Sequence, residues 1–283
     1  MREVGLDVVA AAVERLVQEA NFVLTPDVCA ALREAAGREE SPAGRRVLSL
    51  IRENADLAAA ERVPMCQDTG MTLVFLEVGQ EVHLSGNGRE SLEDAVNRGL
   101  VRGSREGFLR ASVVGDPLER INTGDNAPAV IHVRIVPGDR VRVVVAPKGA
   151  GSENMSRLQM LRPADGEEGV EDFVVRTVEE AGASPCPPVI VGVGLGGTAE
   201  KAALLAKEAL LISLERPNPA PRLAALESRI LERVNRSGIG PAGYGGRTTA
   251  LAVRILTYPC HIASLPVAVC LNCHAARHRE EVV

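Results

Sequence analysis

Tryptophan is absent from this 283-residue sequence, which holds only two tyrosines and four phenylalanines. A core must therefore be packed from Val, Leu, Ala and Ile, and a 46% hydrophobic fraction is enough to fill one. Positive charge is not in excess, since the formal net charge is −5. That removes general attraction to nucleic acid or to an anionic membrane surface. No apolar run approaches the roughly 20 residues that cross a bilayer. The first residues, Met-Arg-Glu-Val-Gly-Leu-Asp, carry acids early and lack the apolar centre of a signal peptide. Internal repeats, low-complexity tracts and an evident linker are also missing, so residues 1–283 read as a single domain. Together these absences predict a cytoplasmic protein that binds neither nucleic acid nor membrane and keeps its cysteines reduced.

What is present is a run of helix and strand signals. Residues 6–22 place Val9, Val13, Leu16 and Val17 on one helical face. Thr25-Pro26 and Ser41-Pro42 look like N-caps with first-turn prolines, opening helices to about 35 and 60. Cys29 then lies in the first of these two as a core thiol. Strands are expected at 71–78 and 81–84, and a helix at 89–107. Residues 130–136 and 141–146 flank Pro137-Gly138-Asp139-Arg140 and predict a hairpin. Helices at 173–181, 198–214 and 223–234 and strands at 189–193, 250–256 and 265–271 complete the pattern. The predicted class is mixed α/β (α+β): a helical N-terminal segment, then mixed or antiparallel strands with helices.

The chemistry-bearing residues fall in loops. Pro64 and Gly70 bracket Cys66, Gln67, Asp68 and Thr69, which place a thiol, an amide, a carboxylate and a hydroxyl side by side ahead of a buried strand. The plain alternative is a helix-to-strand turn with an incidental cysteine. Arg110 is either a solvated charge or a fork for a carboxylate. Pro147-Lys148-Gly149-Ala150-Gly151-Ser152-Glu153-Asn154 offers bare amides, or is a flexible turn. Prolines 185, 187 and 188 hold Cys186 in a stiff segment, suited to a metal ligand or to a strand entry. Gly192, Gly194 and Gly197 spell the dinucleotide pattern after a strand, with Glu215 downstream, though close helix packing explains them more simply. Gly245-Gly246-Arg247-Thr248-Thr249 is a further glycine-rich loop. The six cysteines, at 29, 66, 186, 260, 270 and 273, leave three readings open. Cys270-Leu-Asn-Cys273-His274 matches a haem attachment pattern; Cys260, His261, Cys270, Cys273, His274 and His278 suit zinc; cysteines on separate loops suit an iron–sulfur cluster.

Five islands in order resemble one family. They are Cys66-Gln67-Asp68-Thr69-Gly70, Lys148-Gly149-Ala150-Gly151-Ser152-Glu153-Asn154, Cys186-Pro187-Pro188 with the following glycines, Gly245-Gly246-Arg247-Thr248-Thr249, and the stretch from His261 to Val269. The chain resembles the iron-dependent hydro-lyases, class I fumarate hydratase and L-tartrate dehydratase, in their alpha subunit or N-terminal domain. The resemblance implies a [4Fe–4S] cluster on Cys66, Cys186 and Cys273, with one iron left to bind substrate. It implies that Gln67, Arg110, Gly149 and Gly151 bind a small dicarboxylate, and that Asp68 and His261 handle protons. Cys270 departs from the family pattern; Cys273 is the ligand expected because it heads the matching Cys-His-Ala-Ala-Arg segment. Single-chain members carry a further C-terminal domain, so the resemblance implies a separate beta subunit and a hetero-oligomer, a dimer of alpha–beta pairs. The expected reaction is reversible hydration of fumarate to (S)-malate. Dehydration of L(+)-tartrate is the close alternative, and a dinucleotide-binding module the remote one.

Overall fold

The computed structural model describes residues 1–86 and 88–283. A short strand, β1 (Arg2–Gly5), precedes helix α1 (Leu6–Phe22), whose Val9, Val13, Leu16 and Val17 are buried as the helical spacing requires. Helices α2 (Pro26–Arg38) and α3 (Pro42–Glu61) each open on a proline. Cys29, on α2, is half-buried rather than a core residue. Strands β2 (Met71–Gly79) and β3 (Val82–Ser85) come next, then α4 (Leu92–Glu106). Helix α4 starts where Ser91 and Asp94 form a capping box, each side chain accepting from the other's backbone N–H. The chain continues through β4 (Val130–Val136), β5 (Val141–Lys148), the single turn α5 (Ala150–Glu153), β6 (Arg157–Leu161) and α6 (Gly166–Ala181). It ends with β7 (Val189–Gly196), α7 (Ala199–Ala209), α8 (Pro221–Arg236), β8 (Ala250–Tyr258), β9 (Leu265–Asn272) and β10 (Arg279–Val282). The mixed class is the one expected. Among the described residues no helix is long and apolar enough to cross a membrane.

The chain divides into two compact units. The first comprises Met1–Thr25, Asn54–Ala150 and Arg277–Val283. Its main sheet has the order β10-β5-β2-β4. The expected hairpin is not formed, because β4 and β5 do not pair with each other. Strand β2 lies between them, parallel to β4 and antiparallel to β5, with Val78 opposite Val141. The turn at residues 137–140 instead crosses the end of β2. Gly79 permits that crossing, since a Cβ there would stand 2.3 Å from the Gly138 carbonyl oxygen. The physical reason is burial. Strand β2 is buried along most of its length, whereas β4 is mostly exposed, so the more apolar strand takes the centre of the sheet. Helices α1 and α4 contribute Val9, Val13, Leu16, Val17, Val96 and Leu100 to the core beneath it. They approach closely because Gly99 and Gly103 have no side chain; a Cβ on Gly99 would lie 2.2 Å from the Ala10 oxygen.

The second unit comprises Pro26–Glu53 and Gly151–Ala276. Its sheet has the order β6-β9-β7-β8, with β7 parallel to β8 and antiparallel to β9. Val189, Val191 and Val193 face a core shared with α6 and α8. Alternation puts Gly192 and Gly194 on the opposite face, against α7. A Cβ on Gly194 would stand 2.0 Å from the Ala202 oxygen, and one on Gly192 2.2 Å from that of Ala206. These two glycines are thus consumed by packing of a helix on a strand, and their backbones lie between β8 and β9. They do not form the open phosphate-binding loop that a dinucleotide site requires.

Candidate active site

In the first unit, residues 64–70 form a loop anchored along its length. The Met65 N–H donates to the Asn21 carbonyl (3.0 Å), and Asn54 Nδ2 donates to the Met65 carbonyl (2.8 Å). Cys66 follows directly and is half-buried. The Asp68 carboxylate is held at both oxygens: Oδ1 accepts from the Gly70 N–H (2.9 Å) and Oδ2 from the Ala150 N–H (2.8 Å). Its main-chain carbonyl accepts from Arg277 Nη1 (2.6 Å). Gly70 has φ +76° and sits over β5, where a Cβ would be 2.7 Å from the Lys148 backbone, so only glycine fits. Thr69 Oγ1 donates to the Arg110 carbonyl (2.7 Å), which Asn126 Nδ2 (3.1 Å) and Ser112 Oγ (3.2 Å) also reach. The Arg110 and Gln67 residues themselves are exposed. A Cβ on Gly149 would fall 3.1 Å from Asp68 Oδ2 and 3.2 Å from Arg277 Nη2. This unit therefore brings Asp68, Gly149 and the Arg110 backbone to the loop that carries Cys66 and Gln67.

In the second unit, antiparallel pairing sets Ile190 at the start of β7 opposite Asn272 at the end of β9. Cys186 and Cys273, just outside those strands, are thereby brought to one corner. The Cys186 carbonyl accepts from the His274 N–H (3.3 Å) and from His274 Nδ1 (2.9 Å), which fixes the tautomer with the proton on Nδ1. Cys186 is exposed and has φ +54°, a left-handed conformation that a side chain resists. Cys270 is different. It is 3% exposed, its Sγ accepts from Ser156 Oγ (3.4 Å), and it donates to Glu153 Oε2 (3.7 Å). Gly151 begins this unit, and a Cβ on it would meet the Ser184 oxygen at 3.2 Å. His261 is exposed in the turn between β8 and β9, where its Nδ1 accepts from the Ala263 N–H (3.1 Å).

The glycine-rich loop at residues 245–249 is built around a buried acid that the sequence reading did not single out. Glu39 accepts from the N–H groups of Glu40, Ser41, Arg247 and Thr248, at 2.8 to 3.1 Å. A Cβ on Gly246 would collide with its Oε1 at 2.6 Å. Burial alone would push this carboxyl up, but the N–H groups of Ser41 and Arg247 and the donors of Thr248 outweigh it and hold the group below the ordinary glutamate range. A depressed folded value means the stabilisation is present above the unfolded value and is lost as pH falls through the folded one. Glu39→Gln is expected to cost about 2 kcal/mol at neutral pH. Below about pH 4.3 the wild type should lose its advantage and the two melting curves converge. A gap that stays constant down to about pH 3 would show that Glu39 does not act through its charge.

All six cysteines are reduced thiols. Among the described residues no set of three or more His, Cys, Asp or Glu is gathered as a metal site. The donor chemistry nonetheless fits an iron–sulfur group better than zinc or haem. Cys186 and Cys273 share a corner, and Cys66 lies in a fixed loop. Cys270, which both the haem pattern and the zinc set need, is buried with its thiol directed to Glu153.

A family model described as fumarate hydratase (Fumerase) matches residues 10–282. A protein of Methanocaldococcus jannaschii, provisionally named L(+)-tartrate dehydratase subunit alpha, is 43% identical over 270 residues, covering 94% of each chain. The L(+)-tartrate dehydratase subunit alpha of Escherichia coli strain K12 is 33% identical over 255 residues, covering 89% of this chain and 82% of that one. By the extent of these matches, this chain belongs to the fumarate hydratase (Fumerase) family and is a hydro-lyase.

Proposed function

We propose that the chain is the alpha subunit of an L(+)-tartrate dehydratase. One observation carries this reading over the fumarate one: its relatives named as tartrate dehydratase alpha subunits align along 94% and 89% of its length. Fumarate hydration remains the second reading, supported by the name of the family model. The subunit names also support a beta subunit as partner, in a dimer of alpha–beta pairs, and reduced thiols agree with a cytoplasmic setting.

The reaction removes a carbon-bound proton and a hydroxyl from adjacent carbons of a dicarboxylate. Cys66, Cys186 and Cys273 would hold a [4Fe–4S] cluster, which supplies a Lewis acid for the departing hydroxyl. The remaining work belongs to side chains and backbone. Arg110 offers a planar fork to a carboxylate, Gln67 an amide, and Gly149 and Gly151 a backbone that a ligand can approach closely. Asp68, clamped by two backbone N–H groups, presents its carboxylate in one fixed direction. His261 supplies an imidazole suited to proton transfer near neutral pH.

The test is anaerobic reconstitution with the beta subunit, followed by assays on L(+)-tartrate, malate and fumarate. A brown protein with kcat/KM for L(+)-tartrate at least about tenfold above that for malate is expected, roughly 1.4 kcal/mol of discrimination. Preference for malate and fumarate would transfer the assignment to fumarate hydratase. The alpha chain alone should hold iron and sulfide with little turnover.

A further inference from the structure

Arg277 belongs to the segment that follows Cys273, and it is buried to 3% exposure. Its partners are not carboxylates. Nη1 is shared between the Asn21 amide oxygen (3.0 Å) and the Asp68 carbonyl (2.6 Å), and Nε is buried with no hydrogen-bond partner. A buried guanidinium with an unmet N–H is expensive, and ordinary packing would remove it. Its fork here does something an apolar residue would not do. Asn21 is fully buried in the last turn of α1, where its own Nδ2 is tied to the Val17 carbonyl (2.8 Å) and its carbonyl holds Met65. Arg277 thus connects a rigid helix end to the peptide of Asp68. The same guanidinium and the Asp68 carboxylate flank the position above the Gly149 α-carbon, at 3.2 and 3.1 Å.

We propose that Arg277 is a positioning residue, which aims the Asp68 carboxylate by holding its main-chain carbonyl against the end of α1. The proposal rests on the reading of Asp68 as a proton-handling group. Without the fork, the Asp68 peptide has one fewer anchor, and the two N–H groups on its side chain must fix both peptide and carboxylate. Misplacement of a reacting group by about 1 Å costs about 10²-fold in rate, so a small tilt is enough to be read in turnover.

The experiment is Arg277→Lys in the enzyme assembled with its beta subunit, alone and combined with Asp68→Asn. Lysine keeps the charge and loses the fork. The single variant is expected to hold wild-type iron and sulfide, to lose about 10²-fold in kcat, and to change KM by less than about threefold. The double variant should be no slower than Asp68→Asn alone, because a group that acts only through Asp68 has nothing left to position. Hydrogen exchange of the peptide covering residues 66–70 should quicken in the iron-free alpha chain. Multiplicative losses in the double variant, or wild-type turnover in Arg277→Lys, overturn the proposal. A raised KM with unchanged kcat also overturns it and makes Arg277 a substrate contact. If Arg277→Lys fails to fold, Asn21→Ala removes one of the two Nη1 acceptors and leaves the guanidinium in place. It should lower kcat about tenfold with the same lack of additivity, and unchanged turnover there refutes the relay. Full turnover in Asp68→Asn alone is a separate result, which removes Asp68 from the mechanism.

Discussion

Cys186→Ser in the assembled enzyme is expected to abolish iron, sulfide and all turnover while the protein stays soluble and folded. Cys66→Ser and Cys273→Ser should do the same. On the proposed ligand set each thiolate would be one of three ligands, and a serine oxygen is a poor substitute for the soft donor that iron–sulfur chemistry needs. The fold should tolerate all three changes, since Cys186 is exposed and Cys66 and Cys273 are only half-buried. Cys29, Cys260 and Cys270 should be replaceable without loss of cluster. Cys270 is the informative control: it lies on β9, close in sequence to Cys273, yet buries its thiol against Glu153 and Ser156. Cys270→Ala should lower the melting temperature by a few degrees, on the scale of a roughly 1 kcal/mol packing loss, and keep its colour. Iron and sulfide analysis with visible absorbance decides the matter. A full cluster in Cys273→Ser together with none in Cys270→Ser would move the third ligand to Cys270.

Asp68→Asn and His261→Asn are each expected to keep iron content and fold while turnover falls about a hundredfold, the scale of a placed acid–base group. The two residues differ in what their replacement disturbs. In Asp68→Asn the introduced amide oxygen could still accept from the Gly70 N–H, but its NH₂ would face the Ala150 N–H, donor against donor. That variant therefore adds a local loosening of the loop. His261 is exposed and, among the described residues, bonded only within its own turn, so its replacement disturbs no core. Single-turnover and steady-state assays on L(+)-tartrate at fixed cluster content separate the chemical step from binding. Near-normal turnover in either variant removes that residue from the chemistry, and loss of the cluster along with activity assigns it a structural role.

The helices were legible where local signals agree: the prolines that open α2 and α3 and the apolar face of α1 needed no tertiary information. The hairpin was misread because its signal is also local, whereas the pairing was decided by burial of β2, a strand far earlier in the chain. Strands β1 and β10 gave no alternating pattern, and the alternation of β6, Arg-Leu-Gln-Met, runs for only four residues; β10 reads Arg-Glu-Glu-Val and gains its place by pairing with β5. For the site, the loop residues stood out because their chemistry is crowded into consecutive positions. Their anchors did not. Asn21 and Asn54 lie on helices that read as scaffold, Glu39 and Asn126 lie in connecting segments, and Arg277 closes a segment singled out for its cysteine; each acts on a group 11 or more residues away. Asn21 alone left a trace, as an amide on the otherwise apolar face of α1.

The β10–β5 pairing also sets an order of events during synthesis. The first unit draws on Met1–Thr25, Asn54–Ala150 and Arg277–Val283, so its sheet and the grip of Arg277 on Asp68 wait for a segment translated long after β2 and β5. Until then β5 carries an unpaired edge of Val143, Val144 and Val145, a surface that invites mispairing. A nascent chain stalled before residue 277 would therefore expose that edge to chaperones, and the loop at residues 64–70 would become rigid only when Arg277–Val283 has emerged and docked.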